Sequence, residues 1–524
     1  MQAPKGAWRG TARLYAALIV LSLALRAPAI VNAATVDSDA AIVGLQARHI
    51  LAGEWSWFLY GSGYQTSVDS CVAAAFFALL GASPTALLLS TLLGHTAATC
   101  LAFATLKRRL PGAAAFVATL PLVFTSSPLH TYILNPPRQA SLTLVFLAVF
   151  VIDGAGDRRD ERSRRLHAAT GAAIASLACF ADPYALLVLP ALLLLGVFTA
   201  YDGPGDAPRT VARRAAFTIA GALVGIVPFA LLLSSPRSVH GETTLTFAVV
   251  RHNLALLADP CLPWLLGATA YVPRALLGYV PWDSGPVFHT IQRLGAALFL
   301  AGVASGGLFF ARSHTGWGLR RLGGFGVFVA ILTLGSFLVS VMVMDLFSSR
   351  YLAALVLMSP FALAPLAARV GWKRLLSVLA PFLAGAGVSG WVAFGEQVSG
   401  ARVVQLPGGG AADEMALLKQ LEARGVHAAI ADYWVSYRLT FLYEEAVGVV
   451  PIHEREDRYP AYRRAYAAAT RSAYIFDPAR SRETLAAMEA EAFTGPSRWG
   501  TPVERLRAGA LTAVVFDKAA RGGE

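Results

Sequence analysis

The chain has 524 residues, 56% of them hydrophobic and only 15% charged, with a mean hydropathy of +0.55. That much apolar surface exceeds what one soluble core can bury, so the composition excludes a water-soluble globular protein and predicts a polytopic membrane protein. The formal net charge of +12 does not imply a nucleic-acid partner, because the basic residues gather in short loops between apolar runs, a pattern of membrane topology.

At the amino terminus Lys5 and Arg9 precede an apolar run over residues 13–33. The outline is that of a secretory signal, but Arg26 interrupts its core and the later spans already require insertion, so a retained first helix is expected. Beyond it comes VDSDAAIVGLQARHILAGEWSWFLYGSGY, from Val36 to Tyr64. Asp37 and Asp39 stand there at the membrane surface, where carboxylates suit a general base or metal ligands. They equally suit a pair of helix caps, since Asp is favoured ahead of a first turn. Ile42, Val43, Leu45, Ala47 and Ile50 give the following segment the spacing of a short helix lying on the bilayer. His49 has no metal-ligand spacing around it and reads as a surface histidine. Tyr60 and Tyr64 are candidates to stack on a sugar or to anchor at the interface.

With about 20 apolar residues per crossing, spans are expected near 13–33, 85–106, 112–128, 138–153, 168–182, 184–200, 215–234, 291–311, 323–345, 351–369 and 375–395, about eleven in all. The run from Ser67 to Leu80 is too short and is expected to lie at the interface. Lys5, Arg9, the basic residues at 107–109, 158–165 and 209–214, Arg320, Arg321, Lys373 and Arg374 then share one side, which the positive-inside tendency makes cytoplasmic. Cys71, Cys100, Cys179 and Cys261 show no CxxC or metal spacing and read as packing residues.

The opposite face receives the Asp37 loop, the turn Asn135–Arg138, the segment 236–292, the turn Asp345–Arg350 and everything after about residue 396. Arg350 and Arg138 are outer-face cations able to grip a phosphate with a planar fork or to reach lipid headgroups. Trp264, Tyr271, Tyr279 and Trp282, mixed with Arg251 and Arg274, suit helices at headgroup level that cover a lipid-bound site. Asp182 with Pro183 reads as a turn between two helices. Charged residues become common after the glycine-rich stretch at 406–411, which predicts a membrane domain over 1–396, a linker over 397–411 and an extracytoplasmic domain over 412–524. In that domain helices at 413–424, 437–445, 459–470 and 482–492 alternate with strands at 426–432, 447–452, 473–477 and 510–517, the pattern of a small parallel α/β unit.

The string from Val36 to Tyr64 resembles the first extracytoplasmic loop of GT-C-type membrane glycosyltransferases, in which an acidic pair precedes a juxtamembrane helix and a Tyr-Gly-rich segment. FADPYALLVLPALL and SSRYLAALVLMSP resemble later parts of the same proteins, and GVHAAIADYWVSYRLTFLYEE resembles the carboxy-terminal extracytoplasmic domain of a bacterial subset. The group resembled is that of the protein O-mannosyltransferases and aminoarabinose transferases. The resemblance implies a mainly α, GT-C-like helix bundle with a small C-terminal α/β domain, in a bacterial inner membrane, and the basic clusters put the amino terminus in the cytoplasm. It implies transfer of a sugar from a polyprenyl-phosphate-linked donor to a glycan, lipid or protein acceptor, with inversion. Asp39 would be the base, beside Asp37. Arg350 with Tyr351, and Arg138, would hold the donor phosphate, and the aromatic run from Tyr433 to Tyr443 would offer an acceptor platform. The families usually place a glutamate after the aspartate, where this chain has Ala40. No cofactor is specified, although a divalent metal is compatible with the acidic pair. The rival reading is a non-catalytic or transport protein that handles lipid-linked sugars or scaffolds envelope assembly.

Overall fold

A computed structural model describes residues 5–31, 33–158, 160–200, 208–232, 244–269, 271–275, 278–281, 283–310, 316–395, 409–478, 481, 486–487, 490 and 500–518. Helices α1 (Lys5–Leu25) and α2 (Ala27–Val31) lead into the juxtamembrane pair α3 (Ser38–Leu51) and α4 (Val68–Leu80). The bundle continues through α5 (Pro84–Lys107), α6 (Gly112–Val123), α7 (Ser127–Leu134), α8 (Gln139–Ala155), α9 (Glu161–Ala181), α10 (Leu189–Ala200) and α11 (Pro208–Leu232). After α12 (Phe247–Leu256) and the single turn α13 (Leu262–Leu265) come α14 (Pro286–Phe310), α15 (Trp317–Val339), α16 (Ala353–Leu357) and α17 (Ser359–Gly395).

A helix overlaps each of the eleven expected crossings, but among the described residues only five helices are long and apolar enough to cross a membrane, or six if the bent pair α6–α7 counts as one. Length and composition therefore support fewer crossings than expected. The shortfall comes from short apolar helices such as α1, α8 and α10, from α9, whose first turns carry Glu161, Arg162, Arg164 and Arg165, and from the stretch Leu346–Val392, which counts once although Gly371 (φ +76°) breaks it between the two crossings expected there. Between α6 and α7 the chain bends by 86°, and Pro121 lies inside α6. The carbonyls left open at that break go to Arg26, which donates from Nη1 to Val123 O (2.5 Å) and from Nη2 to Leu122 O (3.2 Å) and Thr125 Oγ1 (3.2 Å). A buried cation thus serves as a helix-end cap through both of its terminal nitrogens.

Small residues bring helices into backbone contact, as membrane packing requires. A Cβ on Gly221 would lie 2.1 Å from Ala169 O and one on Gly225 2.3 Å from Ala173 O, so α11 and α9 touch along their main chains. At one end of the bundle the buried carboxylate of Asp153 accepts from Arg109 (3.0 Å) and Arg321 (2.9 Å), and Arg214 pairs with Glu161 (2.8 Å). Residues that the charge pattern assigned to one side are therefore neighbours.

The segment 236–292 differs from expectation. Residues 233–243 lie outside the described ones. The rest contains α12, α13 and an antiparallel hairpin of β1 (Tyr271–Ala275) and β2 (Gly278–Pro281), where only helices were expected. Pro273 and Pro281 suit such an edge pair better than a helix.

The C-terminal domain comprises α18 (Gly409–Glu422), β3 (Ala428–Ala431), α19 (Tyr433–Leu442), β4 (Gly448–Pro451), α20 (Pro460–Ala468), β5 (Arg471–Phe476), β6 (Thr501–Ala508) and β7 (Leu511–Asp517). Its strand order is β4-β3-β5-β7-β6. Only β4, β3 and β5 run parallel, while β7 is antiparallel to both β5 and β6. The sheet is therefore mixed, because β6 turns back into β7 through a tight link at Gly509, a hairpin that helix–strand alternation does not announce. The helix expected at 482–492 and most of the linker 397–411 fall outside the described residues.

This domain is seated on α3. Ser38 Oγ donates to Tyr433 O (2.6 Å) and Arg48 Nη1 to Phe441 O (3.0 Å). The Phe441 ring lies so near Gly44 that a Cβ there would be 2.6 Å from Cε2. The aromatic residues Tyr433, Tyr437 and Phe441 share one buried cluster with Ala41, Leu45 and Phe77. They are core between the two domains, in place of the acceptor platform expected of them.

Candidate active site

Asp37 caps α3, its carboxylate accepting from Ala40 N at 2.8 Å. It also lines a groove of about 120 Å³ with Ala29, Ala40, Leu87 and Leu134. Asp39 lies in the first turn, half-buried, where the helix amino terminus favours negative charge. Its Oδ1 accepts a short hydrogen bond from the Tyr433 hydroxyl, at the start of α19. Burial first, and then the charge of Asp39, holds that phenol well above its ordinary pKa, so it stays a donor.

Behind Tyr433 stands Arg458. Its Nε donates to the Tyr433 hydroxyl (3.2 Å), its Nη1 to Gly61 O (3.0 Å), and its backbone N–H to the Tyr437 hydroxyl (2.6 Å). Gly61 has φ +65°, and a Cβ there would lie 2.6 Å from Arg458 Cα, so only glycine lets the two segments meet. Burial works to lower the Arg458 pKa, yet Tyr433 and Asp39 outweigh it and the net direction is up.

The second half of the site is built on the loop before α4, the first turn of α4, and the loops after α7 and α9. Asp182, buried, caps the turn that follows α9 by accepting from Tyr184 N (2.7 Å), accepts from Gln65 Nε2 (3.1 Å) and pairs with Arg138 Nε (3.5 Å). The Arg138 guanidinium also lies 5.4 Å from the centre of the Tyr132 ring. Burial opposes its charge, but Asp182 and the surrounding tyrosines raise its pKa. Asp69, in the first turn of the interfacial α4, accepts from Ala140 N (2.9 Å), and burial pushes its carboxyl up to about 7. Tyr64 is 44% exposed, and Arg138, Asp182, Arg458 and Asp39 all act on its hydroxyl.

Tyr184 ties this half to the remaining predicted residues, its hydroxyl donating to Tyr351 O (3.1 Å). Arg350, exposed on the turn Leu346–Leu352, donates from Nη2 to the Tyr351 hydroxyl (3.2 Å). Asp39 is thus joined to Arg458 through Tyr433, and Arg138 through Asp182 to Tyr184 and the Tyr351 backbone, while the Arg350 guanidinium contacts only its neighbour Tyr351 among the described residues. Tyr60 is placed otherwise: it is buried, stacked on Tyr459 at 4.6 Å, and hydrogen-bonded to His49 (3.0 Å). His49 is not a surface residue, because the C-terminal domain covers it and Glu445 meets its Nε2 at 2.9 Å. Asp182 is more than a turn marker, and Arg458 and Asp69 carry no signal in the sequence: HEREDRYP reads as a solvated charged loop.

Among the described residues no three His, Cys, Asp or Glu side chains gather as a metal site. With one oxygen of Asp39 taken by Tyr433 and Asp37 engaged as a cap, the donor set does not fit a divalent ion held by the protein alone.

No protein-family model matches the sequence, and no curated protein does. Solved structures do match. The chain is similar to ArnT from Cupriavidus metallidurans bound to undecaprenyl phosphate, at 14% identity with a TM-score of 0.53 and 100% of each chain covered. The apo state of that protein matches at 14% identity and a TM-score of 0.53, over 97% of this chain and 98% of the other. The arabinofuranosyltransferase AftD from Mycobacteria matches at 15% identity and a TM-score of 0.51, covering 100% of this chain but 41% of AftD. The chain has the GT-C fold. The likeness extends over the membrane bundle and the C-terminal domain together.

Proposed function

We propose that this chain is a membrane glycosyltransferase that transfers a sugar from a polyprenyl-phosphate-linked donor to an extracytoplasmic acceptor. The observation that carries the reading is the position of Asp39: a half-buried carboxylate at a helix amino terminus, held by Tyr433, in a site that also contains Arg458 and Arg138. The undecaprenyl phosphate bound by the ArnT structure of the same fold supports a donor of that lipid class. Asp39 takes the proton of the acceptor hydroxyl as that oxygen bonds to the anomeric carbon from the face opposite the phosphate. The anomeric C–O bond breaks with its electron pair on the phosphate oxygen, so configuration inverts. Arg350 with Tyr351, and Arg138, balance the charge that grows there. Tyr64 is the exposed tyrosine that meets the sugar. The membrane is a bacterial inner membrane, the amino terminus lies in the cytoplasm and the C-terminal domain outside.

The break between α6 and α7 is a feature of carriers, and it favours transport of a lipid-linked sugar as the second reading. Arg26 binds the carbonyls freed by that break, which suits a fixed bundle better than a rocking one. Mass spectrometry of lipid retained by the purified full-length protein tests the proposal. A polyprenyl phosphate or its glycosylated form is expected. Failure to retain or take up either one counts against the donor assignment.

A further inference from the structure

The loop from Gly61 to Gln65 holds a cation at each end. At one end Gly61 O accepts from Arg458 Nη1 (3.0 Å), and at the other Gln65 Nε2 donates to Asp182 (3.1 Å), the partner of Arg138. Ser62 Oγ accepts from Gln65 N (3.0 Å) and folds the loop on itself. Both guanidinium groups are therefore tied to one five-residue loop, and both act on the hydroxyl of Tyr64 within it. Tyr64 stands in the same loop, half exposed. Arg138 comes from the membrane domain and Arg458 from the C-terminal domain. Arg458 Nη2 has no hydrogen-bond partner among the described residues, while Nε and Nη1 fix the plane of its fork.

We propose that Arg458 is a further cation for the donor phosphate beside Arg138 and Arg350, set across the Gly61–Gln65 loop from Arg138, so that the phosphate site is completed by the docked C-terminal domain. The inference rests on the reading of the donor as a polyprenyl-phosphate sugar. In that donor the phosphate is a diester with one negative charge. When the sugar leaves it becomes a monoester of charge about −1.5 to −2. Asp182 already takes part of the charge of Arg138, so a further cation beside Arg350 stabilises the growing charge. A guanidinium held in plane by Tyr433 and Gly61 supplies it without reorganisation. The same Tyr433 hydroxyl touches Asp39, which links the phosphate site to the base.

The test is binding of undecaprenyl phosphate, and of undecaprenol as the phosphate-free probe, to the purified full-length protein. Arg458→Ala should weaken undecaprenyl phosphate by about tenfold or more, the scale of one charge-assisted contact, and leave undecaprenol unchanged. Gly61→Ala, which pushes Arg458 off its seat, should reproduce the loss. Arg458→Lys should recover part of it, and Arg455→Ala on the exposed loop should bind as wild type. Binding by Arg458→Ala within about twofold of wild type would overturn the inference while leaving the donor assignment standing. A wild-type protein that binds neither probe would overturn the donor assignment, and this inference with it.

Discussion

The hydroxyl of Tyr433 donates to Oδ1 of Asp39 across a sequence separation of 394 residues. One partner lies in the first turn of α3, whose apolar face is buried against the C-terminal domain, and the other opens the helix by which that domain docks. The domain thereby reaches into the site it covers.

That contact predicts that Tyr433→Phe keeps the fold and loses activity. Phenylalanine preserves the packing against Tyr437 and Trp434 but removes the donor to Asp39 and the acceptor for Arg458. Release of polyprenyl phosphate from lipid-linked sugars extracted from membranes should fall about tenfold, as expected for a lost hydrogen bond to a charged group. Gly44→Leu should have a larger effect, because Phe441 has no room beside a side chain there. Unchanged turnover in both variants would make the docked domain a spectator.

Asp69 gives a pH dependence with a definite sign. Burial raises its folded pKa to about 7 from a usual value of 3.8, so the folded state holds the proton more tightly than the unfolded state. Its contribution is most favourable below pH 3.8, declines as pH rises toward 7, and is flat above that. Asp69→Asn keeps an acceptor for Ala140 N and removes the ionisation. Its Tm should exceed that of wild type at pH 8, with the gap closing as pH falls toward 4. A gap of equal size at both pH values would show that the ionisation is not what the substitution relieves.

Lysine substitutions separate Arg350 from Arg138. Arg350 is exposed and contacts Tyr351, whereas Arg138 also holds Asp182 and lies over Tyr132. Arg350→Lys should impair turnover through lost bidentate contact with the donor phosphate and leave Tm unchanged. Arg138→Lys should lower both, since it also loosens a buried carboxylate. Near-wild-type turnover in Arg350→Lys would make that residue a headgroup anchor.

Much of the bundle was legible in the sequence because apolar runs and basic loops are local features. The start of α3 was legible for the same reason: Asp37 announces a cap, and a cap it is. What could not be read is what depends on tertiary contact. The capping of the α6–α7 break rests on Arg26 reaching carbonyls 96 and 97 residues away. Tyr60 and His49 read as interface and surface residues because nothing local tells that Tyr459 and Glu445 cover them. Arg458 lies in a stretch of alternating charge that fits any solvated loop, and only the fold sets it beside Gly61. The antiparallel β6–β7 pair escaped because β6 shows a mixed, mostly exposed surface pattern.

Orientation is open to chemical labelling. In a cysteine-free background, a cysteine at Ser481 should react with an impermeant reagent in intact cells, and one at Ser163 only after lysis. The reverse pattern would invert the membrane domain and put the site in the cytoplasm.

The most direct test of the account is the paired behaviour of Asp39→Asn and Asp37→Asn. Asparagine conserves the size of the side chain and caps a helix about as well as aspartate, but it cannot serve as a base. With purified protein, donor-lipid extract and acceptor-containing membranes, release of polyprenyl phosphate is to be measured alongside binding of undecaprenyl phosphate. Asp39→Asn should bind the lipid as wild type does and release none, and Asp37→Asn should retain most of its turnover. Wild-type release by Asp39→Asn would contradict the assignment of the base and leave Asp39 as a structural residue of the first turn.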